Sequence, residues 1–263
     1  MTNNGTISTY GTISGTLTNN GTIMVGPDGS IPSNSGGSVI PFPDGETYLD
    51  ASGTPQNIPA NAKFLLPGAT TLDGWYVVCG KVTLTNRPTV TGEAHLILVD
   101  GCELNANSGI NVGEGANLTI YAQSNGSNMG KLTALGNFNQ AGIGGDAGES
   151  GGTITINGGT VAASGNMYDQ IDGGAQNYVV FSFASRQNGG QTYTLQNADG
   201  ETVGTWTPAN DFTCLVVSSP DLTAGDYTLW QGDTQLAGTM SDGVGSPGGG
   251  RHMGGEAPPA DLD

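Results

Sequence analysis

Carboxylates are the residues of this chain best placed to do chemistry. Asp100, Glu103 and Glu114 lie close together in sequence, and Asp146, Glu149, Asp169 and Asp172 form a second group. On strands stacked about 4.8 Å apart, two such acids could reach the roughly 6.5–9.5 Å separation that inverting glycoside hydrolysis requires. A lyase would instead pair a base, here Lys81, Arg87 or Lys131, with cation-binding acids. Calcium could be held by "GGDAGE" (144–149), but the regular Gly-Gly-x-Gly-x-Asp run of calcium-binding repeats is missing. His95 and His252 are isolated, which supports neither a zinc site nor a nucleophile–histidine pair. The simpler reading of the acids is solvated turn carboxylates, so the sequence supplies an alternative acidic face (Asp100, Glu103, Glu114) rather than a catalytic set, and no metal site or cofactor.

Binding without catalysis asks for different residues. A pyranose face stacks on an exposed aromatic ring beside hydrogen-bonding groups. The rings on offer are Trp75, Trp206, Trp230, Tyr193 and Tyr227, of which Trp206, Trp230, Tyr193 and Tyr227 fall together in the C-terminal half. Trp206 and Trp230 alternate with small or polar neighbours, so at least one is expected to face solvent, against the competing reading that each packs a small core. Ice binding through a flat Thr-x-Thr ladder is a weaker third reading, because Thr83-x-Thr85 and Thr153-x-Thr155 have no continuous run of stacked threonines.

Composition narrows the partners. With 23 acidic against 6 basic residues the net charge is −17, which repels nucleic acid and anionic membrane surfaces. No apolar run reaches membrane-spanning length, and no leader with a basic start and an apolar centre is evident. A repeat already under way at the first residues favours a processed or partial form over a cytosolic protein. Cys79, Cys102 and Cys214 are an odd number without metal-type spacing, expected to be buried free thiols.

The elements that must carry these residues are strands. Gly is 46 of 263 residues, and "TNNGTISTYGTISGTLTNNGTI" (2–23) writes Gly-Thr-Ile or Gly-Thr-Leu at Gly5, Gly11, Gly15 and Gly21. Gly and Asn supply corners, and Thr, Ile and Val supply short strands. From Trp75 the pattern tightens into four comparable segments beginning at Trp75, His95, Asn117 and Thr153. Their alternating apolar residues predict inward ladders: Tyr76, Leu96, Leu118, Ile154, then Val78, Leu98, Ile120, Ile156. A second strand predicts Val82, Cys102, Leu132, Val161, then Leu84, Leu104, Ala134, Ala163. A third corner gives Ile110, Ile143 and Ile171. Spacing near 20 residues with three strands per turn predicts an all-β, right-handed parallel β-helix.

After Gly173 the style changes to antiparallel, with Asp-Gly and Gly-Gly turns between alternating strands. The expected organisation is a repeat region (1–40), a Pro-rich wrap or linker (41–74), the β-helix (75–175), a small antiparallel β-sheet or sandwich module able to cap it (176–238), and a Gly/Pro-rich flexible tail (239–263).

"AGIGGDAGESGGTITINGGTVAASG" (141–165) resembles the Gly-rich β-helical surface proteins common in bacteria. "NYVVFSFASRQNGGQTYTLQNADGETVGTWTPANDFTCLVVSSPDLTAGDYTLWQG" (177–232) resembles the C-terminal part of bacterial carbohydrate-binding-domain-containing proteins. The likeness covers roughly residues 94 to 250 and implies a right-handed β-helix and a secreted or surface location; it transfers no active-site residue. The expectation is a non-catalytic, secreted or cell-surface, carbohydrate-binding or adhesive protein whose partner is a polysaccharide or glycan. Self-association as a stalk or fibre, contact with a cell-surface protein, and a polysaccharide hydrolase or lyase are the alternatives.

Overall fold

The computed structural model describes residues 1–32, 34–43, 46–137, 139–146, 148–165 and 171–243. Asp169, His252 and the tail beyond residue 243 lie outside them. The described chain is all-β, and its sheets are mostly parallel.

Two parallel sheets carry the central region. The first joins Thr71–Val78, Thr89–Leu98, Asn117–Ala122, Thr153–Ile156 and Ile171–Gly173; the second joins Lys81–Leu84, Glu103–Ala106, Lys131–Leu135 and Thr160–Gly165. The chain visits them alternately, so each pass adds one strand to each sheet. Gly80 and Gly101 sit at the corners between them with φ of 64° and 73°, a region that favours glycine. Ile110–Asn111 and Ile143–Gly144 pair with each other and continue from Thr89 as a short third column.

Inward residues alternate as expected, but the register differs. Leu96 pairs with Ile120, and Ala94 with Leu118; Val82 pairs with Leu104, and Leu84 with Ala106. In the first sheet the predicted ladders are displaced by two residues at the step from Thr89–Leu98 to Asn117–Ala122, and in the second sheet the Glu103–Ala106 strand is displaced by two against both of its neighbours. A slip of two leaves every side chain on its own face, so the apolar pattern cannot detect it. Ile171 pairs with Ile154 in the first sheet rather than joining the third column. The resulting core contains Leu72, Leu96, Leu98, Leu104, Ile110, Leu118 and Ile120, all nearly without exposure. Each such side chain contributes roughly 1.5–3 kcal/mol on burial.

Arg87 ties successive passes together. Its guanidinium donates to the carbonyls of Ser108 (3.0 Å), Ala141 (2.9 Å) and Gly144 (2.9 Å) and pairs with Asp146 at 3.2 Å. A Cβ on Gly109 would run into that guanidinium.

The Gly-Thr-Ile repeats form a smaller stack. Thr6 pairs with Thr22 and Thr22 with Ser38, so the units at Gly5 and Gly21 lie one above the other. Asn3 and Asn19 are buried at the preceding corners: Asn3 Nδ2 donates to Asn19 Oδ1 at 2.8 Å, and each side-chain oxygen accepts from the backbone N–H two residues on. That local bond explains the Asn-x-Gly spacing. Residues 41–74 act as a wrap rather than a linker. Thr47–Leu49 pairs with Pro55–Asn57, Lys63–Phe64 joins the first sheet beside Tyr76–Val77, and Thr71–Leu72 already belongs to the stack. Phe42, Tyr48 and Phe64 cover the outer face of that sheet at Val77, Cys79 and Ile97.

The C-terminal module is fused to the stack through a shared sheet. Phe212–Ser218 pairs antiparallel with Thr160–Gly165 and with Tyr178–Gln187, which in turn pairs with Thr239–Gly243. Residues 239–243, expected in the tail, are therefore a strand, because the edge of Tyr178–Gln187 offers backbone partners to any side-chain composition. The run "CLVV" is apolar on both faces for a reason. Cys214 and Val216 point into the central core, whereas Leu215 and Val217 point into a second core with Val179, Phe181, Tyr193, Leu195 and Leu229. The second layer of that core is a four-stranded antiparallel sheet of Thr202–Trp206, Tyr193–Asn197, Tyr227–Gln231 and Thr234–Gln235.

Candidate functional site

Where the module meets the stack, a groove of about 240 Å³ opens. Its floor is the outer face of the second parallel sheet (Thr133, Leu135, Ala162, Ser164) with Leu215 beside it, and its wall is the segment Thr205 to Pro208, including Trp206. On the floor Thr133 and Ser164 carry hydroxyls, each able to donate and accept, and Thr205 and Thr207 flank Trp206 in the wall. Among the described residues no charged side chain lines it.

Trp206 is held there by its own strand. It lies directly opposite Tyr193, so it shares the inner face of the four-stranded sheet, and it packs against the module core while remaining half-buried. Its indole lies over Gly204, where a Cβ would run into the ring. The following loop is tethered on both sides: Asn210 Nδ2 donates to the Gly136 carbonyl at 3.2 Å, and the Thr192 and Thr207 hydroxyls lie 3.0 Å apart. The wall of the groove is thereby fixed relative to its floor.

The other expected platforms lie elsewhere. Trp230 pairs with Thr194, one residue out of phase with Tyr193, which places it on the opposite face of the sheet from Trp206; its Nε1 donates to Thr228 Oγ1 at 2.9 Å. Tyr193 and Tyr227 are core residues rather than platforms. Tyr193 is fully buried, its hydroxyl donating to the Asn188 carbonyl at 2.7 Å, and the Tyr227 hydroxyl donates to the Thr223 carbonyl at 2.9 Å. Their alternation matched that of an exposed ring because both faces of the strand carry large side chains. Of the four, Trp206 alone lines the groove.

The acidic face does not assemble. Asp100 follows Leu98 at one end of the first sheet and accepts from Ser124 Oγ at 2.7 Å, while Glu103 pairs with Lys81 at 3.2 Å on the exposed surface. Glu114 precedes Asn117 at the far end of the neighbouring strand. A strand of that length spans about 20 Å, well beyond the spacing of an acid–base pair. Arg87 donates to three backbone carbonyls and pairs with Asp146 at 3.2 Å. Among the described residues no three His, Cys, Asp or Glu side chains converge as a metal site.

Sequence reasoning missed an aromatic group on the outer face of the first sheet. Trp75 stacks on His95 with centroids 4.1 Å apart and lies 5.5 Å from Tyr121, and Tyr48 from the wrap closes over Trp75 and Tyr121 at 5.3 and 4.9 Å. Burial lowers the His95 pKa against the opposing pull of Glu93. These rings cover one another and anchor the wrap; the in-register pairing of Trp75 with His95 was the available signal. All three cysteines are buried and none is in a disulfide, and burial pushes the Cys79 and Cys102 thiols up to about 12.

Comparison with protein-family models, curated proteins and solved structures returns no match to this chain. Among the described residues no helix is long and apolar enough to cross a membrane.

Proposed function

We propose that this chain is a non-catalytic glycan-binding protein of the right-handed parallel β-helix type, working outside the cell or at its surface, and that the Trp206 groove is its binding site. The observation that carries the reading is one indole set over a sheet face that carries the Thr133 and Ser164 hydroxyls, in a groove lined by no charged side chain among the described residues. Aromatic carbon presents a flat apolar face to the C–H side of a sugar ring, and hydroxyls exchange hydrogen bonds with its rim. Neutral lining suits a neutral glycan. Its volume lies below the roughly 300–1,000 Å³ of sites that enclose drug-sized ligands, so the groove itself takes little more than a terminal ring. Alternating visits to two in-register parallel sheets support the β-helix reading, and the acidic, Lys-poor composition fits an external protein.

Affinity electrophoresis through gels containing neutral and acidic polysaccharides tests the proposal. A neutral polysaccharide should retard the protein, Trp206→Ala should abolish the retardation, and Trp230→Ala should leave it intact. Retention that depends on Trp230 instead, or no retention on any gel, would count against it. A stalk or fibre segment is the second reading. It is favoured by Thr2–Asn3 and Thr6–Thr9, each paired on one side only among the described strands. Sedimentation velocity across a concentration series would reveal such growth.

A further inference from the structure

We propose that the Trp206 groove is the closed end of a linear track, and that the ligand is an unbranched neutral glycan held by its chain end; this rests on the glycan-binding reading above. The outward residues of the second sheet run in register from the groove floor: Ala162 pairs with Thr133, Thr133 with Asn105, and Asn105 with Thr83. Thr133 and Asn105 are half-buried and Thr83 is exposed, so the column grows more open away from the module. Successive rungs lie about 4.8 Å apart, close to the advance of one pyranose along an extended chain. A chain perpendicular to the strands thus meets one polar side chain per ring at the Thr133, Asn105 and Thr83 rungs, and Trp206 beside the Ala162 rung.

The two ends of this track differ. Beyond Ala162 the sheet continues into Phe212–Ser218, whose Leu215 and Val217 lie under the module, so the path stops at Trp206. At the other end Lys81–Leu84 is the last strand of its sheet among the described residues, and Thr83 on it is exposed. Alongside runs a column of Lys131, Glu103 and Lys81, in which Glu103 and Lys81 pair at 3.2 Å. Charges of alternating sign give no single-signed field to recruit a polyanion or a polycation, which leaves a neutral chain as the occupant.

Isothermal titration with cello-, xylo- and malto-oligosaccharides of one to six units tests this. For the series that binds, affinity should rise with each unit to about four, one per rung, and then level off. Asn105→Ala and Thr83→Ala should weaken the tetramer about five- to tenfold, the worth of one hydrogen bond, and leave the dimer unchanged. A bulky fluorophore on one chain end should abolish binding and on the other be tolerated. Equal affinity for dimer and hexamer, or tolerance of a fluorophore at both ends, would overturn the track; if Trp206→Ala still abolished binding, the groove reading would stand. Failure of every oligosaccharide and of every neutral polysaccharide gel would overturn both.

Discussion

Replacing Arg87 by methionine keeps most of the apolar stem and removes the guanidinium that bridges three passes of the stack. Its side chain is 10% exposed, and three backbone carbonyls, of Ser108, Ala141 and Gly144, lose their donor. A hydrogen bond to a charged donor is worth about 1.5–3 kcal/mol net. The Asp146 partner is 36% exposed, so the ion pair itself adds little. Because the carbonyls sit at corners that can admit water, the summed loss is set at the lower end, about 3–5 kcal/mol. Urea unfolding followed by far-ultraviolet circular dichroism should show the unfolding free energy falling by that amount, through a lower midpoint at unchanged slope, and Asp146→Asn should cost less than about 1 kcal/mol. A loss below about 1 kcal/mol for Arg87→Met, or equal losses for the two variants, would refute the claim that the guanidinium–carbonyl bonds hold the corners together.

Asn19→Ala removes a fully buried amide that accepts from Asn3 and Gly21 and donates to the Ser38 carbonyl; it should cost about 2–3 kcal/mol and raise hydrogen exchange in residues 1–40 ahead of the module. Native protein should react with no equivalent of a thiol reagent at pH 8 and with three in urea, since all three cysteines are buried and the Cys79 and Cys102 thiols titrate only near 12. Hydrogen bonds from Ser52, Thr54 and Gln56 hold Asp50 at about 2, below its ordinary 3.8. Its stabilisation of the Thr47–Asn57 hairpin is therefore complete above the ordinary value and disappears as pH falls through about 2, which a carboxyl NMR titration would display. Gly21→Ala would drive a Cβ into the Gly5 carbonyl and should prevent the N-terminal rungs from stacking, visible as lost exchange protection there.

Much of the architecture was legible because strands write their faces as a period of two. Gly-Thr-Ile at Gly5 and Gly21 announced stacked units, and "NYVVFSFAS", "QTYTLQ", "TVGTWTP", "FTCLVVSS" and "DYTLWQG" each correspond to a strand of the module. Register was not legible, since pairing Leu96 with Leu118 or with Ile120 buries the same face. Nor was the join between Thr160–Gly165 and Phe212–Ser218, because no local signal says which sheet edge a strand will take. That join makes the groove. Trp206 was recognisable as a candidate, but Ser164 and Thr133 became its neighbours only through the shared sheet, and Tyr193 and Tyr227 could not be told apart from exposed rings by alternation alone.

The central claim places a glycan against Trp206. The chain has three tryptophans, so protein labelled with ¹⁵N-tryptophan gives three indole N–H signals, assignable by Trp75→Phe, Trp206→Phe and Trp230→Phe. On titration with the polysaccharide that retards the protein in the gel, the Trp206 signal should shift saturably while those of Trp75 and Trp230 stay in place. Movement of Trp75 or Trp230 with a stationary Trp206 would contradict the account.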